Sequence, residues 1–206
     1  NTLPVTPSVN TLLTNDMTPL LGGSVNDANV ALTVGLAGRY YAATRNTNTT
    51  WRLPDGAIQP ALAAGTYDVV ACATDAALRT AFDTTTNELV VDITPPTADI
   101  VDVAPDPRTN PVASINIVFS EPVSGLDRAD LTLNRTGVNV PLTASQEPTT
   151  TDHITWTVPN LSGLTGTAGS YLLTLAAAGA GITDPAGNAL PGGASDGWTT
   201  NSSLAG

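Results

Sequence analysis

Oxygen-bearing side chains in turns are the residues of this sequence best suited to chemistry. Aspartate, glutamate and asparagine fall largely in turn segments, where carboxylate and amide oxygens can converge on a hard cation such as calcium. The candidate ligands that we single out are Asn15, Asp16, Asp92, Glu121, Asp184 and Asn188. The competing interpretation is that these side chains only form turns and cap backbone groups. Calcium is therefore the one cofactor that the sequence suggests.

The residues needed for catalysis are scarce. His153 is the only histidine, and a Ser–His–Asp triad would depend on it. The alternating segment Asp152–Trp156 predicts an exposed position for it at the start or edge of a strand. The chain has few glutamates and none lies beside an aromatic groove motif, which disfavours the paired carboxylates of a glycosidase. We therefore predict that the protein is not an enzyme and has no catalytic residues.

Exposed aromatic rings would support a different function, carbohydrate binding by a lectin-like sandwich. Aromatic residues are only 4% of the chain, and those in the repeated motifs described below are predicted to lie in cores. The remaining candidates for a ligand platform are Tyr40, Tyr41 and Trp198. Tyr40 and Tyr41 are adjacent, so one of the two must face outward if they lie on a strand. The alternative is an ordinary half-exposed tyrosine.

Charge and composition exclude several partners. The 206 residues carry a formal net charge of −11 and include no lysine, whereas binding to nucleic acid requires basic residues that displace counterions from phosphates. No apolar stretch reaches the 18 residues expected of a membrane span, so membrane insertion is not predicted. Cys72 is the single cysteine, which excludes an intrachain disulfide and a site built of cysteine ligands.

Short apolar–polar alternation is the main secondary-structure signal. Segments such as Ser114–Phe119 and Ile154–Val158 alternate with β-branched and aromatic residues, which is typical of half-buried strands. Turn signals separate these segments, for example Pro54–Gly56 and Gly192–Gly193. Many short strands at this spacing predict an all-β sandwich or barrel.

An internal repeat indicates two similar domains. Thr50–Asp55 is echoed 105 residues later by Thr155–Asn160, so that Trp51 corresponds to Trp156. Each copy continues through a turn to a short tyrosine motif, Gly-Thr-Tyr67 in the first copy and Gly-Ser-Tyr171 in the second. The strand that follows ends in Thr-Asp, at Asp75 and Asp184. We predict that each tryptophan enters a core and that each tyrosine hydroxyl bonds to nearby backbone at a strand corner.

A proline pair marks the boundary between the repeats. Pro95 and Pro96 cannot continue a strand ladder and restrict the backbone, so we expect a short and fairly stiff linker. The predicted domains are residues 1–94 and 95–200. The small and polar residues 201–206 are predicted to be a loose tail or a linker to a following domain.

Several of these segments resemble bacterial Ig-like repeats, which occur in tandem in large secreted and cell-surface proteins. The first half resembles them at Leu13–Pro19, Gly65–Val69, Ala73–Asp75 and Val91–Pro96, and the second half resembles a related type at Ile117–Val123 and Gly181–Asn188. One departure lies in the first half, where Ala76-Ala77-Leu78-Arg79 follows Asp75 in place of the Ala-Gly-Asn that is frequent in the family. This loop is therefore expected to have lost any role in ion binding.

The resemblance implies two tandem seven-stranded Ig-like β-sandwiches with a non-catalytic spacer or adhesive role at the cell surface or outside the cell. It also implies that loops carrying Asn15, Asp16 and Asp92 approach those carrying Glu121, Asp184 and Asn188 at the linker, and that calcium stiffens this joint. An extracellular module should bind calcium weakly, with a Kd of roughly 10⁻⁴–10⁻³ M. The expected partners are neighbouring Ig-like repeats and a surface glycan or protein. A carbohydrate-binding module and a subunit of an extracellular filament or array remain as alternatives.

Overall fold

The computed structural model describes residues 4–202, and nearly all its regular structure is β-strand. Helical structure in this range is confined to one turn of α-helix, α1 (Ser162–Thr165), and to two 3₁₀ turns, Arg128–Asp130 and Ala144–Gln146. The chain separates into two compact units, with the division between Ile93 and Thr94. The all-β prediction is therefore confirmed.

From residue 4 onward, the first domain contains eleven short strands in three hydrogen-bonded groups. They are β1 (Pro7–Val9), β2 (Leu12–Thr14), β3 (Leu21–Val25), β4 (Ala31–Leu36), β5 (Arg39–Ala42), β6 (Thr44–Arg45), β7 (Thr50–Leu53), β8 (Gly65–Tyr67), β9 (Val69–Thr74), β10 (Thr80–Phe82) and β11 (Leu89–Val91). One sheet has the order β1-β3-β7-β6 and another the order β10-β9-β4-β5. The third group, β2-β11-β8, pairs β2 with β11 in parallel.

Alternation in the sequence produces the core of this domain. In β9, residues 69, 71 and 73 are buried and residues 70, 72 and 74 are half-buried, as expected for a strand with one face toward the core. Trp51 lies in this core and its indole N–H donates a 3.0 Å hydrogen bond to the Ser8 carbonyl. The Tyr67 hydroxyl donates to the Ala63 carbonyl at 2.9 Å. Both roles predicted from the repeat are confirmed here.

The second domain forms two four-stranded sheets. Its strands are β12 (Ala98–Ile100), β13 (Ile115–Phe119), β14 (Leu131–Arg135), β15 (Val138–Val140), β16 (Thr149–Thr150), β17 (Thr155–Val158), β18 (Gly169–Leu175) and β19 (Ala194–Thr200). One sheet has the order β12-β13-β17-β16 and the other the order β15-β14-β18-β19. All these pairings are antiparallel.

The core of the second domain repeats the tryptophan–tyrosine arrangement of the first. Trp156 and Tyr171 are buried in a cluster of residues that all belong to this domain. The Trp156 indole N–H donates to the His153 carbonyl at 3.2 Å, and the Tyr171 hydroxyl donates to the Thr167 carbonyl at 2.7 Å. Each tyrosine thus bonds to the carbonyl four residues before it. Among the described residues, each domain therefore has a core cluster made of its own residues.

His153 lies in a turn rather than at the start of a strand. Its φ of 61° is in the left-handed region, and β17 begins two residues later. The turn is held by the Asp152 carboxylate, which accepts hydrogen bonds from the backbone N–H groups of Ile154 and Thr155 at 2.9 and 2.8 Å. His153 is exposed as predicted, but a tight turn, which alternation does not reveal, replaces the predicted strand edge.

Candidate functional site

An aspartate-centred hairpin in the second domain carries two of the predicted ligands. The Asp184 side chain is only 3% exposed, and its Oδ1 accepts the Asn188 backbone N–H at 2.8 Å. Its Oδ2 accepts the side-chain amide of Asn188, also at 2.8 Å. Gly187 has a φ of 96°, which lets the chain reverse between these two residues. The loop therefore holds a buried carboxylate in a fixed orientation.

A second carboxylate of the same domain lies close to Asp184. Backbone N–H groups of Ser124 and Thr183 donate to each other's carbonyls at 2.9 and 3.1 Å, which joins the segment after β13 to the Asp184 hairpin. As a result, a carboxylate oxygen of half-buried Glu121 lies within 4.8 Å of one from Asp184. Two carboxylates at this separation repel each other, and a positive charge near them offsets the repulsion. Their oxygens are of the kind that calcium prefers.

The predicted ligands of the first domain lie at the end of a parallel strand pair. In the parallel pairing of β2 with β11, Thr14 lies opposite Val91. The Asp92 backbone N–H donates to the Thr14 carbonyl at 2.9 Å. This places the Asn15–Asp16 loop beside Asp92. The Asp16 carboxylate accepts the backbone N–H of Thr18 at 2.8 Å, so it also forms the turn that the alternative interpretation expected. Participation of these three residues in a calcium site with the second domain stays a prediction.

The first domain contains a hairpin of the same design, centred on Asp75. The Asp75 Oδ1 accepts the Arg79 backbone N–H at 2.9 Å, and the Arg79 guanidinium donates to Oδ2 at 2.7 Å through Nε and 2.6 Å through Nη2. The hydrogen bonds from the Arg79 backbone and side chain hold the pKa of Asp75 below its ordinary value. The sequence drew attention to this loop as a departure from the family, but it did not reveal the ion pair.

The three aromatic residues predicted as an alternative ligand platform have different environments. Trp198 is 2% exposed and stacks on Tyr171, so the prediction of Trp198 as an exposed platform was wrong. Tyr41 is half-buried against the first core, and its hydroxyl donates to the Gln59 carbonyl at 3.3 Å. Tyr40 is 84% exposed on the outer face of β5. Sequence periodicity did not separate Trp198 from Tyr40, because the burial of each ring depends on which strands pair beside it.

Exposed Phe82 is an aromatic residue that sequence reasoning missed. Phe82 and Tyr40 line the same shallow groove of about 260 Å³, together with Val70, Asp68 and Arg39. Tyr40 lies over Gly35, since a Cβ at this glycine would be 3.4 Å from the tyrosine Cε1. Strand register brings the two rings to one face of the sheet. Tyr40 lies opposite Gly35 and Gly35 opposite Val70, while Phe82 lies opposite Cys72, two residues after Val70 on the same face of β9.

Two sandwiches in tandem, each with a buried tryptophan and a tyrosine bonded to backbone at a strand corner, define an Ig-like protein. Two family models match the sequence, both described as bacterial Ig-like domain, one over residues 8–93 and the other over residues 92–203. The chain therefore belongs to the bacterial Ig-like domains, and the predicted fold of two tandem Ig-like β-sandwiches is confirmed. The implied seven strands per domain are not what the described residues form, since they divide into eleven and eight shorter strands. A search of curated proteins found no match.

Solved structures that match the chain include tandem titin Ig domains and fibronectin-like modules. A chimeric titin Z1Z2 is 12% identical with a TM-score of 0.42, and the alignment covers 97% of this chain and 96% of that one. Fibronectin(III)-like modules of Clostridium thermocellum CbhA are 11% identical with a TM-score of 0.40, covering 98% and 97%. The family assignment does not depend on these similarities. The described residues include no helix with the length and hydrophobicity of a membrane span.

Proposed function

We propose that this chain is a non-catalytic spacer or adhesive module of a bacterial surface or secreted protein. Bacterial Ig-like domains in tandem are consistent with a structural or adhesive role. The observation that carries the proposal is that each domain closes its own core around its own tryptophan. A module of this kind can be repeated along a chain, because no domain depends on a neighbour to bury its apolar face.

Independent unfolding of the two domains tests this proposal in the full chain. Trp51→Ala removes a fully buried indole from the first core and should destabilise that domain by about 3–5 kcal/mol. Hydrogen exchange followed by mass spectrometry reports on each domain through its own peptides. We expect faster exchange in β3, β7 and β9 and unchanged exchange in β14 and β18. Equal loss of protection in both domains would contradict the proposal.

We also propose that calcium binds at Glu121 and Asp184 and stabilises the second domain. The support is the short distance between these carboxylates, together with the burial of Asp184. Two negative charges this close repel each other, and a divalent cation bound by both carboxylates would offset the repulsion. The same proposal includes Asn15, Asp16 and Asp92 as further ligands. This part of the proposal rests on the sequence.

Thermal unfolding in chelator and in millimolar calcium tests the proposed site. The unfolding temperature of the second domain should rise with calcium, and Glu121→Gln should abolish most of that rise. Asp99→Asn is a matched control, because it removes a carboxylate from an exposed position on β12. The same unfolding temperature in chelator and in calcium would rule out the site at this concentration.

A carbohydrate-binding role is a second candidate, and the groove between Tyr40 and Phe82 favours it. Exposed aromatic faces stack on sugar rings, while Asp68 and Arg39 supply polar groups at the edge of the groove. A glycan array probed with the full chain should give signals that Tyr40→Ala and Phe82→Ala abolish. Val138→Ala removes an exposed apolar side chain from the second domain and serves as the control. Signals that survive both groove substitutions would reject the role.

A further inference from the structure

The hairpins at Asp75 and Asp184 have the same hydrogen-bonding pattern. In each, the aspartate N–H donates to the carbonyl of the residue four positions later, at 3.0 Å for Arg79 and 3.1 Å for Asn188. The N–H of that later residue donates back to the aspartate Oδ1, and its side chain donates to Oδ2. The two loops differ chiefly in which side chain makes this last contact.

The backbone agrees with this correspondence. The residue three positions after each aspartate donates its N–H to the aspartate carbonyl, at 3.0 Å from Leu78 and 3.2 Å from Gly187. Both of these residues have positive φ values, 58° and 96°. The threonine before each aspartate pairs with the residue five positions after that aspartate, Thr80 in the first hairpin and Ala189 in the second. The two loops are therefore equivalent positions of the two domains.

The equivalent side chains carry different charges. Arg79 places a guanidinium against the Asp75 carboxylate and neutralises it within the loop. Asn188 makes the corresponding contact with an uncharged amide, which satisfies an oxygen of Asp184 but leaves its negative charge in place. Glu121 adds a second negative charge near Asp184. The same loop is thus neutral in the first domain and anionic in the second.

We infer that the residue four positions after the loop aspartate, Arg79 or Asn188, determines whether the hairpin depends on a divalent cation. In the first domain the Arg79 guanidinium takes the place of the cation, so this hairpin is stable without calcium. In the second domain Asn188 leaves the charge for an external ion. The inference rests on the calcium binding proposed above for the second domain.

Reciprocal substitutions in the full chain test this inference, with hydrogen exchange measured for residues 74–81 and 183–190 in chelator and in millimolar calcium. In the unsubstituted protein, calcium should slow exchange in the second hairpin and leave the first unchanged. Asn188→Arg should slow exchange of residues 183–190 in chelator and remove their response to calcium. Arg79→Asn should speed exchange of residues 74–81 in chelator, and calcium should restore part of the protection.

Conservative variants separate charge from packing. Arg79→Lys retains the positive charge and should keep residues 74–81 insensitive to calcium, whereas Arg79→Gln should behave like Arg79→Asn. Arg52→Asn removes an exposed arginine of the same domain and should change neither hairpin. The inference is overturned if Arg79→Asn and Arg79→Gln leave exchange of residues 74–81 unchanged in chelator or unresponsive to calcium. If calcium does not change exchange of residues 183–190 in the unsubstituted protein, the proposed calcium site is rejected instead. The Arg79 variants would still decide the inference.

Discussion

The ring of Tyr171 lies parallel to the indole of Trp198, with centroids 5.3 Å apart and 8° between the planes. Both side chains are buried, and the Tyr171 hydroxyl donates to the Thr167 carbonyl at 2.7 Å. This tyrosine therefore links the β18–β19 pair to the turn that precedes it. The first domain has the matching hydroxyl–carbonyl bond at Tyr67, but that tyrosine is only half-buried.

Removal of the two tyrosine hydroxyls should have unequal effects. Tyr171→Phe should lower the free energy of unfolding of the second domain by about 1 kcal/mol, because a partly buried carbonyl loses its donor. Tyr67→Phe should lower that of the first domain by less, since water can reach the Ala63 carbonyl. Urea unfolding curves with a common m-value measure both changes. Equal losses would show that burial does not set the strength of this bond.

Trp198 and Tyr40 should differ sharply when each is truncated. Trp198→Ala should destabilise the second domain by about 3–5 kcal/mol, because it removes a buried ring and leaves a cavity beside Tyr171. Tyr40→Ala should change stability by no more than about 0.5 kcal/mol, as expected for an exposed position. Chemical denaturation monitored by the remaining tryptophans gives both values. A mild effect of Trp198→Ala would mean that this indole does not contribute to the core.

Stability of the first domain should depend on the ionisation of Asp75. Hydrogen bonds from the Arg79 backbone and guanidinium lower the pKa of Asp75 below its ordinary 3.8. A lowered pKa stabilises the folded state above pH 3.8, and this stabilisation is lost as the pH falls through the lower, folded-state pKa. Urea denaturation of the full chain between pH 2 and 7 should show this loss, and Asp75→Asn should remove it.

Asp130 should show the opposite dependence. Burial raises the pKa of Asp130 above its ordinary 3.8, and the negative charges of Asp127 and Glu147 add to the effect. Because of the raised pKa, protonated Asp130 stabilises the folded state. This contribution is fully present below pH 3.8 and is lost as the pH rises through the folded-state pKa. Asp130→Asn keeps an acceptor for the Asp127 N–H and should stabilise the second domain at pH 7. The gain should be at most about 0.5 kcal/mol, because solvent screens partly exposed charges.

The two equivalent positions of positive φ should respond differently to substitution. Gly187→Ala places a Cβ in the left-handed region and should cost the second domain about 1 kcal/mol. Leu78 already bears that strain, so Leu78→Gly should stabilise the first domain by about 0.5 kcal/mol after the entropy of glycine in the unfolded chain is deducted. Thermal unfolding of the three proteins tests both. A destabilising Leu78→Gly would show that its exposed side chain contributes more than the strain costs.

The sequence predicted the architecture because its signals were local or repeated. Alternation identified the strands, and the shared spacing of Trp51 and Tyr67 with Trp156 and Tyr171 identified two similar domains. The role of each tyrosine hydroxyl followed from the corner motif, since its partner lies only four residues earlier in the chain. Contacts of this short range are encoded in one segment and need no knowledge of tertiary structure.

Contacts that depend on register or rotamer could not be predicted. Trp198 is buried because β19 pairs with β18 so that position 198 faces Tyr171, and a shift by one residue would have exposed it. The Arg79–Asp75 ion pair depends on the hairpin conformation and on the direction of a long side chain. The approach of Glu121 to Asp184 requires the bridge between Ser124 and Thr183, which are far apart in sequence. Neither the Arg79–Asp75 ion pair nor the short distance between Glu121 and Asp184 can be recognised from composition or periodicity.

The parallel pairing of β2 with β11 has a mechanical consequence for the first domain. β2 lies near the beginning of the domain and β11 near its end, and the two strands run in the same direction with Leu12 opposite Leu89 and Thr14 opposite Val91. Once β1 has separated from β3, a pull on the two ends of this domain is therefore directed along both strands in opposite senses. The hydrogen bonds from Leu12 N–H to the Glu88 carbonyl and from Asp92 N–H to the Thr14 carbonyl are then loaded in shear, together rather than one after another. Tension that would peel apart a hairpin is resisted here by the whole strand pair at once.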